Sequence, residues 1–177
     1  MCRKAENKLQ WIVTCLSALL LFGASHCVFA KHEDSQQPIT IEADKAKVDE
    51  KKGISTYTGN VLLRQGSIQI KSDELKVISK DGGLDKLVAT GKPVIYLQSG
   101  DAEKGDIVGE AYQMEYFALE GKLILLENAK LSQGPNMFSG NRIAYDTQKE
   151  IVSAAVSEQG TQRVQVTIQP KQKSGSQ

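Results

Sequence analysis

Alternation of apolar and polar residues with a period of two begins at Ile39 and constrains the fold of this chain more than any other feature. The runs include Ile39-Ile41-Ala43, Val61-Leu63, Ile68-Ile70, Leu75-Val77, Val94-Tyr96, Met114-Tyr116, Leu123-Leu125, Ile143-Tyr145 and Val164-Val166-Ile168. Successive side chains of a strand point to opposite faces, so this pattern predicts β-strands with one dry and one wet face. After residue 30, no stretch keeps helical three-and-four spacing of apolar residues for a dozen residues.

Turn signals rich in glycine separate these runs at short intervals. They include Lys52-Gly53, Gly59-Asn60, Gln65-Gly66, Asp81-Gly82-Gly83, Gly91-Lys92-Pro93 and Gly134-Pro135. Gly, Asn and Pro mark turns because they adopt the backbone angles that tight turns require. Many short antiparallel strands joined by such turns are typical of a sandwich, a jelly roll or a barrel.

One strand–turn–strand segment occurs twice. Residues 56–77 (TYTGNVLLRQGSIQIKSDELKV) return 68 residues later as residues 124–145 (ILLENAKLSQGPNMFSGNRIAY). Identical residues in the two copies are Asn60 and Asn128, Leu63 and Leu131, Gln65 and Gln133, and Gly66 and Gly134, and Gly53 and Gly121 recur at the same spacing just before them. Repeated units that are too small to bury their own apolar faces stack into a shared core and leave free edges at both ends. Chance similarity between two Gly-rich β segments is the alternative.

Residues 1–30 have the three parts of a cleaved secretory signal peptide. Arg3, Lys4 and Lys8 supply the positive start, residues 11–22 form an apolar run, and Val28-Phe29-Ala30 precede the expected cut. A run of twelve residues is too short for a helix to cross a hydrocarbon core about 30 Å thick. An uncleaved membrane anchor is the alternative.

The composition of the exported part excludes several functions. Cys2, Cys15 and Cys27 all lie in the predicted signal peptide, so residues 31–177 offer no thiol or disulfide chemistry. Without the signal peptide, 19 basic and 20 acidic residues remain. This balance, with no basic cluster, argues against a nucleic-acid partner.

Candidate catalytic and metal-binding groups are scarce. His32 is the only histidine after the predicted signal peptide, and it lies before the first strand, which disfavours a Ser-His mechanism. Asp49-Glu50 and Asp73-Glu74 are neighbours, and neighbouring strand residues point to opposite faces, so neither pair can flank one glycosidic bond. Residues 81–85 and 101–106 lack the spacing of a calcium loop. The sequence predicts no enzyme, no metal and no cofactor.

Strands without an obvious hairpin partner lie at both ends of the exported part. The residues expected to form these free edges are Pro38, Ile39, Thr40 and Ile41 at the start and Val164, Val166 and Ile168 at the end. An edge strand offers unpaired backbone groups to another chain. Residues 31–37 and 170–177 are polar and are expected to be a mobile leader and a mobile tail around a domain at residues 38–169.

Five phrases are distinctive in their order and spacing: QPITIEAD at 37–44, YTGNVLLRQGSIQIKSDELKV at 57–77, GKP at 91–93, Met114-x-Tyr116 and SGNRIAYD at 139–146. Together they resemble the LptA (OstA-like) family of lipopolysaccharide transport proteins. The resemblance implies an all-β, open antiparallel β-jellyroll, slightly V-shaped, with about sixteen short strands. It implies a periplasmic protein that carries lipopolysaccharide from the inner to the outer membrane, with the acyl chains of lipid A in a hydrophobic groove.

The same resemblance implies the partners and the binding face. The partners would be lipopolysaccharide, an LptC-like inner-membrane component, an LptD-like outer-membrane translocon and further copies of the chain, stacked end to end. Groove residues carry over only as dry-face positions: Ile39, Ile41, Val61, Leu63, Ile68, Ile70, Tyr96, Met114, Tyr116, Leu125, Phe138, Ile143 and Tyr145. A one-residue register slip would turn such a position outward.

Three other functions are weighed beside this one. Branched aliphatic residues can fill a closed core as well as line a groove, so a closed structural or glycan-binding β-sandwich of the periplasm is one alternative. An inner-membrane-anchored LptC-like component is the second, and the short signal peptide argues against it. A periplasmic glycosidase is the third, and the lack of a suitable carboxylate pair disfavours it.

Overall fold

A computed structural model describes residues 34–100, 104–156 and 163–168 of the chain. The predicted signal peptide (residues 1–30), residues 31–33 of the predicted leader and the predicted tail (residues 170–177) lie outside these ranges. Within the described ranges, no helix has the length and apolar character needed to span a membrane.

The described residues form one antiparallel sheet of ten strands, preceded by a short 3₁₀ helix at Asp34–Gln36. The strands are β1 (Ile39–Glu42), β2 (Lys45–Asp49), β3 (Ile54–Gln65), β4 (Ile68–Lys80), β5 (Gly83–Gln98), β6 (Ile107–Phe117), β7 (Lys122–Gln133), β8 (Asn136–Asp146), β9 (Ile151–Ala155) and β10 (Gln165–Thr167). From β3 to β8, each strand pairs with the next one along the chain. At one end β1 and β2 both pair with β3, and at the other end β9 and β10 both pair with β8. The all-β, open antiparallel architecture predicted from the sequence is confirmed.

The strand count differs from the expected sixteen because the long strands are continuous through irregularities in their pairing. The register shifts between Thr58 and Val61, and again between Leu126 and Ala129. Similar shifts interrupt the pairing of β4 with β5, of β5 with β6 and of β6 with β7. A bulge bends a strand and strengthens its twist without ending it. Each long strand therefore pairs in two segments but counts once, so ten strands are described where the resemblance implies about sixteen.

The repeated sequence forms two hairpins with the same register. In the first hairpin Leu63 lies opposite Ile70, and 68 residues later Leu131 lies opposite Phe138. The backbone φ is positive at Gly66 and Gly134, and also at the non-glycine pair Asn60 and Asn128. Asn tolerates this left-handed region better than most residues with a side chain. Three of the five identical pairs, Gly53 with Gly121, Asn60 with Asn128 and Gly66 with Gly134, thus lie where both backbones have positive φ, and the repeat is structural.

The repeat extends beyond the hairpins to the strand before them. Ile39 lies opposite Gln65 and Asp49 opposite Ile54, while Ile107 lies opposite Gln133 and Phe117 opposite Lys122. Every pair that β1 and β2 form with β3 recurs 68 residues later between β6 and β7. The broken strand β1–β2 is therefore the counterpart of β6.

The strand after each hairpin also has a counterpart. After the first hairpin this strand is β5, which pairs with β4. After the second hairpin two strands take its place: β9 pairs with residues 142–146 of β8, and β10 pairs with residues 137–139 of β8. Val77 lies opposite Leu87, as Tyr145 lies opposite Val152. We call β1–β5 the first unit and β6–β10 the second unit. The two units join where β5 pairs with β6.

Alternate residues of the strands pack into one apolar core. Leu75, Met114, Leu123, Leu131 and Ile143 have no solvent exposure. The core contains residues from β3 to β8, and Val152 and Ala154 of β9 pack against it. Burial of apolar area contributes about 25 cal/mol per Å², so this face provides most of the driving force for folding.

The folded part extends upstream of residue 38. The carboxylate of Asp34 accepts hydrogen bonds from the Ser67 backbone N–H at 2.7 Å, from the Ser67 hydroxyl at 2.7 Å and from Gln98 Nε2 at 3.0 Å. The Gln65 side chain donates to the carbonyl oxygens of Ser35 and Gln37. Residues 34–37 fall within the leader that was expected to be mobile, yet these bonds tie them to the sheet.

Candidate functional site

The apolar interior of the sheet is the candidate site, and all thirteen predicted groove residues lie in it or against it. Ten of them are buried: Val61, Leu63, Ile68, Ile70, Tyr96, Met114, Tyr116, Leu125, Ile143 and Tyr145. Ile39, Ile41 and Phe138 are partly buried and pack against the same core. That these residues contact lipid stays a prediction.

The predicted groove residues leave out several residues of the same interior. Leu75, Leu87, Val94, Leu123 and Leu131 are fully buried there. Two of them could have been found from the repeat, because Leu131 is the counterpart of Leu63, and Leu75 is the counterpart of Ile143. Both partners were among the predicted groove residues.

Three tyrosines place hydroxyl groups in or beside this interior. The Tyr96 hydroxyl donates to Gln98 Oε1 at 3.0 Å, and burial, with smaller contributions from Tyr116, Tyr145 and Asp34, raises the pKa of Tyr96 far above its ordinary value. Burial also raises the pKa of Tyr116, as does the negative charge of Asp34. The pKa of Tyr145 is raised by burial and then by the charges of Glu150 and Asp146. A neutral phenol is therefore the stable form at each position.

A polar cluster connects the segment before β1 to β3, to the turn between β3 and β4, and to β5. Asp34, Gln65, Ser67 and Gln98 form it through the hydrogen bonds described above. Gly66 leaves room for it, since a Cβ there would lie 2.3 Å from Asp34 Oδ1. The sequence pattern did not single out this cluster, because its acceptor belongs to the polar segment before β1.

A pocket of about 470 Å³ opens beside this cluster. Its lining comes from Ser35, Gln37, Ile39, Gln65, Leu84, Tyr116, Ala118 and Leu119. Ile39 and Tyr116 are predicted groove residues, and Tyr116 belongs to the buried core. The pocket thus reaches the apolar interior from the surface near the first edge of the sheet.

One buried polar atom in the interior has no partner. Ser72 lies opposite Val61 on the dry face of β4, and its hydroxyl makes no hydrogen bond. A buried hydroxyl without a partner costs about 1–3 kcal/mol. Among the described residues, no cluster of three or more His, Cys, Asp or Glu side chains could hold a metal ion.

The predicted edge residues lie where the sheet ends. Ile39, Thr40 and Ile41 belong to β1, Val166 belongs to β10, and Pro38, Val164 and Ile168 flank these strands. β1 and β10 each pair on one side only within the described residues. Val166 is 47% exposed and Ile168 is 73% exposed, which is unusual for large aliphatic residues.

One known protein family matches most of this sheet. Residues 40–151 match the family described as LptA/(LptD N-terminal domain) LPS transport protein. The chain belongs to this family. The resemblance read from the sequence phrases is thereby confirmed.

Curated relatives within this LPS transport family share most of their length with the chain. The lipopolysaccharide export system protein LptH of Pseudomonas aeruginosa is 33% identical over 87% of this chain and 94% of its own length. The lipopolysaccharide export system protein LptA of Escherichia coli is 35% identical over 94% of this chain and 88% of its own length. These relatives carry the names of transport proteins rather than of enzymes.

A solved structure of the same family matches the fold. It is the crystal structure of LptH from Pseudomonas aeruginosa, described as the LptA-homologous periplasmic component of the conserved lipopolysaccharide transport device. The match has a TM-score of 0.72 and 32% identity, and it covers 77% of this chain and 99% of that chain. The similarity therefore includes the whole solved domain of LptH.

Proposed function

We propose that this protein is a periplasmic carrier of lipopolysaccharide and that the apolar interior of its sheet holds the acyl chains. The observation that carries the proposal is the continuous apolar face from β3 to β8, open to the surface at the pocket beside Tyr116 and Ile39. Transfer of acyl chains from water to such a face is favourable by about 25 cal/mol per Å² of apolar area removed from water. The glycan of the same ligand stays in water.

Entry of acyl chains requires movement, because side chains of the protein fill the interior. Leu75, Leu123 and Leu131 have no exposure, so a bound chain must separate residues that now touch each other. An open sheet can do this more easily than a closed barrel, since its two end strands are not bonded to each other. The pocket is the proposed point of entry because it is open beside the buried ring of Tyr116.

The free edges give the carrier its proposed partners. Copies of the chain would stack end to end, with the C-terminal edge of one copy beside the N-terminal edge of the next. An LptC-like inner-membrane component would occupy one end of this bridge and an LptD-like outer-membrane translocon the other. The arrangement is supported by the exposed Val166 and Ile168 and by the outer sides of β1 and β10, which have no partner strand among the described residues.

Photo-crosslinking tests the lipid site. A photoreactive residue at Ile39, Tyr96 or Tyr116 should capture lipopolysaccharide in protein purified from its own cell envelope. The same residue at Lys76 is the matched control, because Lys76 lies on the exposed face of β4 beside the buried Leu75. Labelling only from Lys76 would reject the interior as the site and would favour a structural or glycan-binding sandwich with a filled core.

Light scattering at rising protein concentration tests the bridge. The unchanged chain should form longer oligomers as concentration rises, and Val166→Asp should prevent this by placing a charge in the contact. Tyr112→Asp is the control, since Tyr112 is 45% exposed on β6 in the middle of the sheet and belongs to neither edge. A protein that stays monomeric at high concentration would contradict end-to-end stacking.

A further inference from the structure

The join between the two units shows how two separate copies of the chain can meet. Inside the molecule, the last strand of the first unit (β5) pairs antiparallel with the first strand of the second unit (β6). The counterpart of β5 is β9 and β10, and the counterpart of β6 is β1 and β2. Both counterparts lie at the ends of the sheet with their outer sides unpaired in the described structure. The molecule thus contains one complete join and the two halves of another.

We infer that β9 and β10 of one copy pair with β2 and β1 of a second copy in the register of the internal β5–β6 join. This inference rests on the proposed end-to-end stacking and specifies which residues meet. The register follows in two steps. Tyr96 lies opposite Gly109 in the internal join; the counterpart of Tyr96 is Val166, and that of Gly109 is Ile41. Val166 of one copy therefore lies opposite Ile41 of the next.

The same reasoning from the internal join assigns the part of the contact that β9 forms with β2. Leu87 lies opposite Tyr116 in the internal join, and their counterparts are Val152 and Val48. Val152 of one copy therefore lies opposite Val48 of the next. One position on, Ser153 lies opposite Lys47, as Val88 lies opposite Glu115 inside the chain.

The side chains of this contact that face the apolar interior form its inner row, and all of them are apolar. This row pairs Val166 with Ile41, Ile168 with Ile39, and Val152 with Val48. In the isolated chain Val48 is 59% exposed, whereas its internal counterpart Tyr116 is 9% exposed. Addition of a neighbouring strand in this register would cover Val48 and Ile168 and would continue the apolar interior from one copy into the next.

The side chains of the contact that face away from the interior form its outer row, which contains no pair of like charges. Lys47 faces Ser153, and Glu42 faces Gln165, so the charged side chains of the first edge meet neutral ones. A slip by one residue would turn Gln165 and Thr167 toward the apolar row, because neighbouring side chains of a strand point to opposite faces. A slip by two residues would keep the faces but would place either Val48 opposite Glu150 or Val152 opposite Glu50, beyond the ends of β9 and β2.

Disulfide trapping between single-cysteine chains tests this register. Cys2, Cys15 and Cys27 are first replaced by Ala, and a chain with Thr40→Cys is then mixed with a chain with Thr167→Cys. A second mixture combines Lys47→Cys with Ser153→Cys. Opposed residues in a sheet fall within disulfide range, whereas a diagonal neighbour lies at about 7–8 Å. Thr40→Cys mixed with Gln165→Cys is therefore the control, with the same face but two residues out of register.

Both test mixtures should give at least about tenfold more heterodimer than the control, because geometry limits disulfide formation. Preferred crosslinking of position 40 to position 165 would overturn the register but keep the stacking. Crosslinking of position 40 to position 167 without crosslinking of position 47 to position 153 would overturn the proposed pairing of β9 with β2. If oligomers form in light scattering and neither test mixture crosslinks, the register is wrong. If no oligomers form either, the proposed stacking itself fails.

Discussion

The first strands of the two units have the same register but very different burial. Met114 of β6 has no exposure, whereas its counterpart Ala46 of β2 is exposed. Tyr116 is buried, whereas its counterpart Val48 is 59% exposed. The difference arises from the neighbour: β6 has β5 on its other side, and β1–β2 has no strand there among the described residues. Burial in a repeat depends on position in the array as well as on sequence, since each unit is covered only by its neighbours.

Truncation at the two counterparts should give the largest contrast. Tyr116→Ala should lower the free energy of unfolding by about 3–5 kcal/mol, because it leaves a cavity in the core. Val48→Ala should change it by less than about 0.5 kcal/mol in dilute protein, because Val48 is exposed there. Denaturant unfolding measures both. Equal losses at the two positions would mean that β2 is already covered in the isolated chain.

The turn glycines of the two hairpins should respond to the same substitution by different amounts. Gly66 and Gly134 both have positive φ, so alanine at either costs about 1–2 kcal/mol from the backbone alone. A Cβ at Gly134 would also lie 2.7 Å from the backbone oxygen of Lys104, whereas at Gly66 it would meet the side chain of Asp34. Gly134→Ala should therefore be the more destabilising change in thermal or denaturant unfolding.

A third glycine provides the control for these two substitutions. Gly82 also has positive φ, but a Cβ there would meet nothing within 4 Å. Gly82→Ala should show the backbone cost of about 1–2 kcal/mol alone. If Gly82→Ala and Gly134→Ala are equally destabilising, close packing of the turn against residue 104 contributes nothing.

Alkaline unfolding should detect the buried phenol of Tyr96, a group that the second unit lacks because the counterpart of Tyr96 is Val166. The pKa of Tyr96 is raised in the folded state, so its neutral form contributes stability that is complete below the unfolded pKa of about 10 and is lost as the pH rises above it. Each such group lowers the free energy of unfolding by about 1.4 kcal/mol per pH unit in that window. Tyr96→Phe should reduce this slope, as followed by denaturant unfolding between pH 9 and 11. The same slope in both proteins would contradict burial of the phenol.

The smallest effect is expected where the two units carry Ser72 and Gly140. Ser72→Ala should raise the free energy of unfolding by up to about 1 kcal/mol, because it removes a buried hydroxyl without a partner. Gly140→Ala should be tolerated, since a Cβ there would lie at an ordinary 3.7 Å from Val164 Cγ2 and the Ala155 oxygen. A clear loss of stability in Ser72→Ala would indicate that a water molecule or another group satisfies this hydroxyl.

Alternation of residue type was enough to predict the β fold and the inward faces, because burial on one side of a strand imposes a period of two. It could not predict that strands continue through bulges, since a bulge shifts the register without any strong composition signal of its own. Asn60 and Asn128 were visible as repeated residues, but the left-handed backbone that explains them was not. Asp34 was missed because its role depends on Ser67 and Gln98, which are distant in sequence.

The loop between β5 and β6 then takes on a limited role. It joins two strands whose pairing would also be formed, on the inference above, by strands of different molecules. Such a tether raises the effective concentration of one strand beside the other and need not shape their contact. A protease cut between Gln98 and Ile107 should therefore allow the two units to separate on dilution and to associate again as the concentration rises, as whole molecules do.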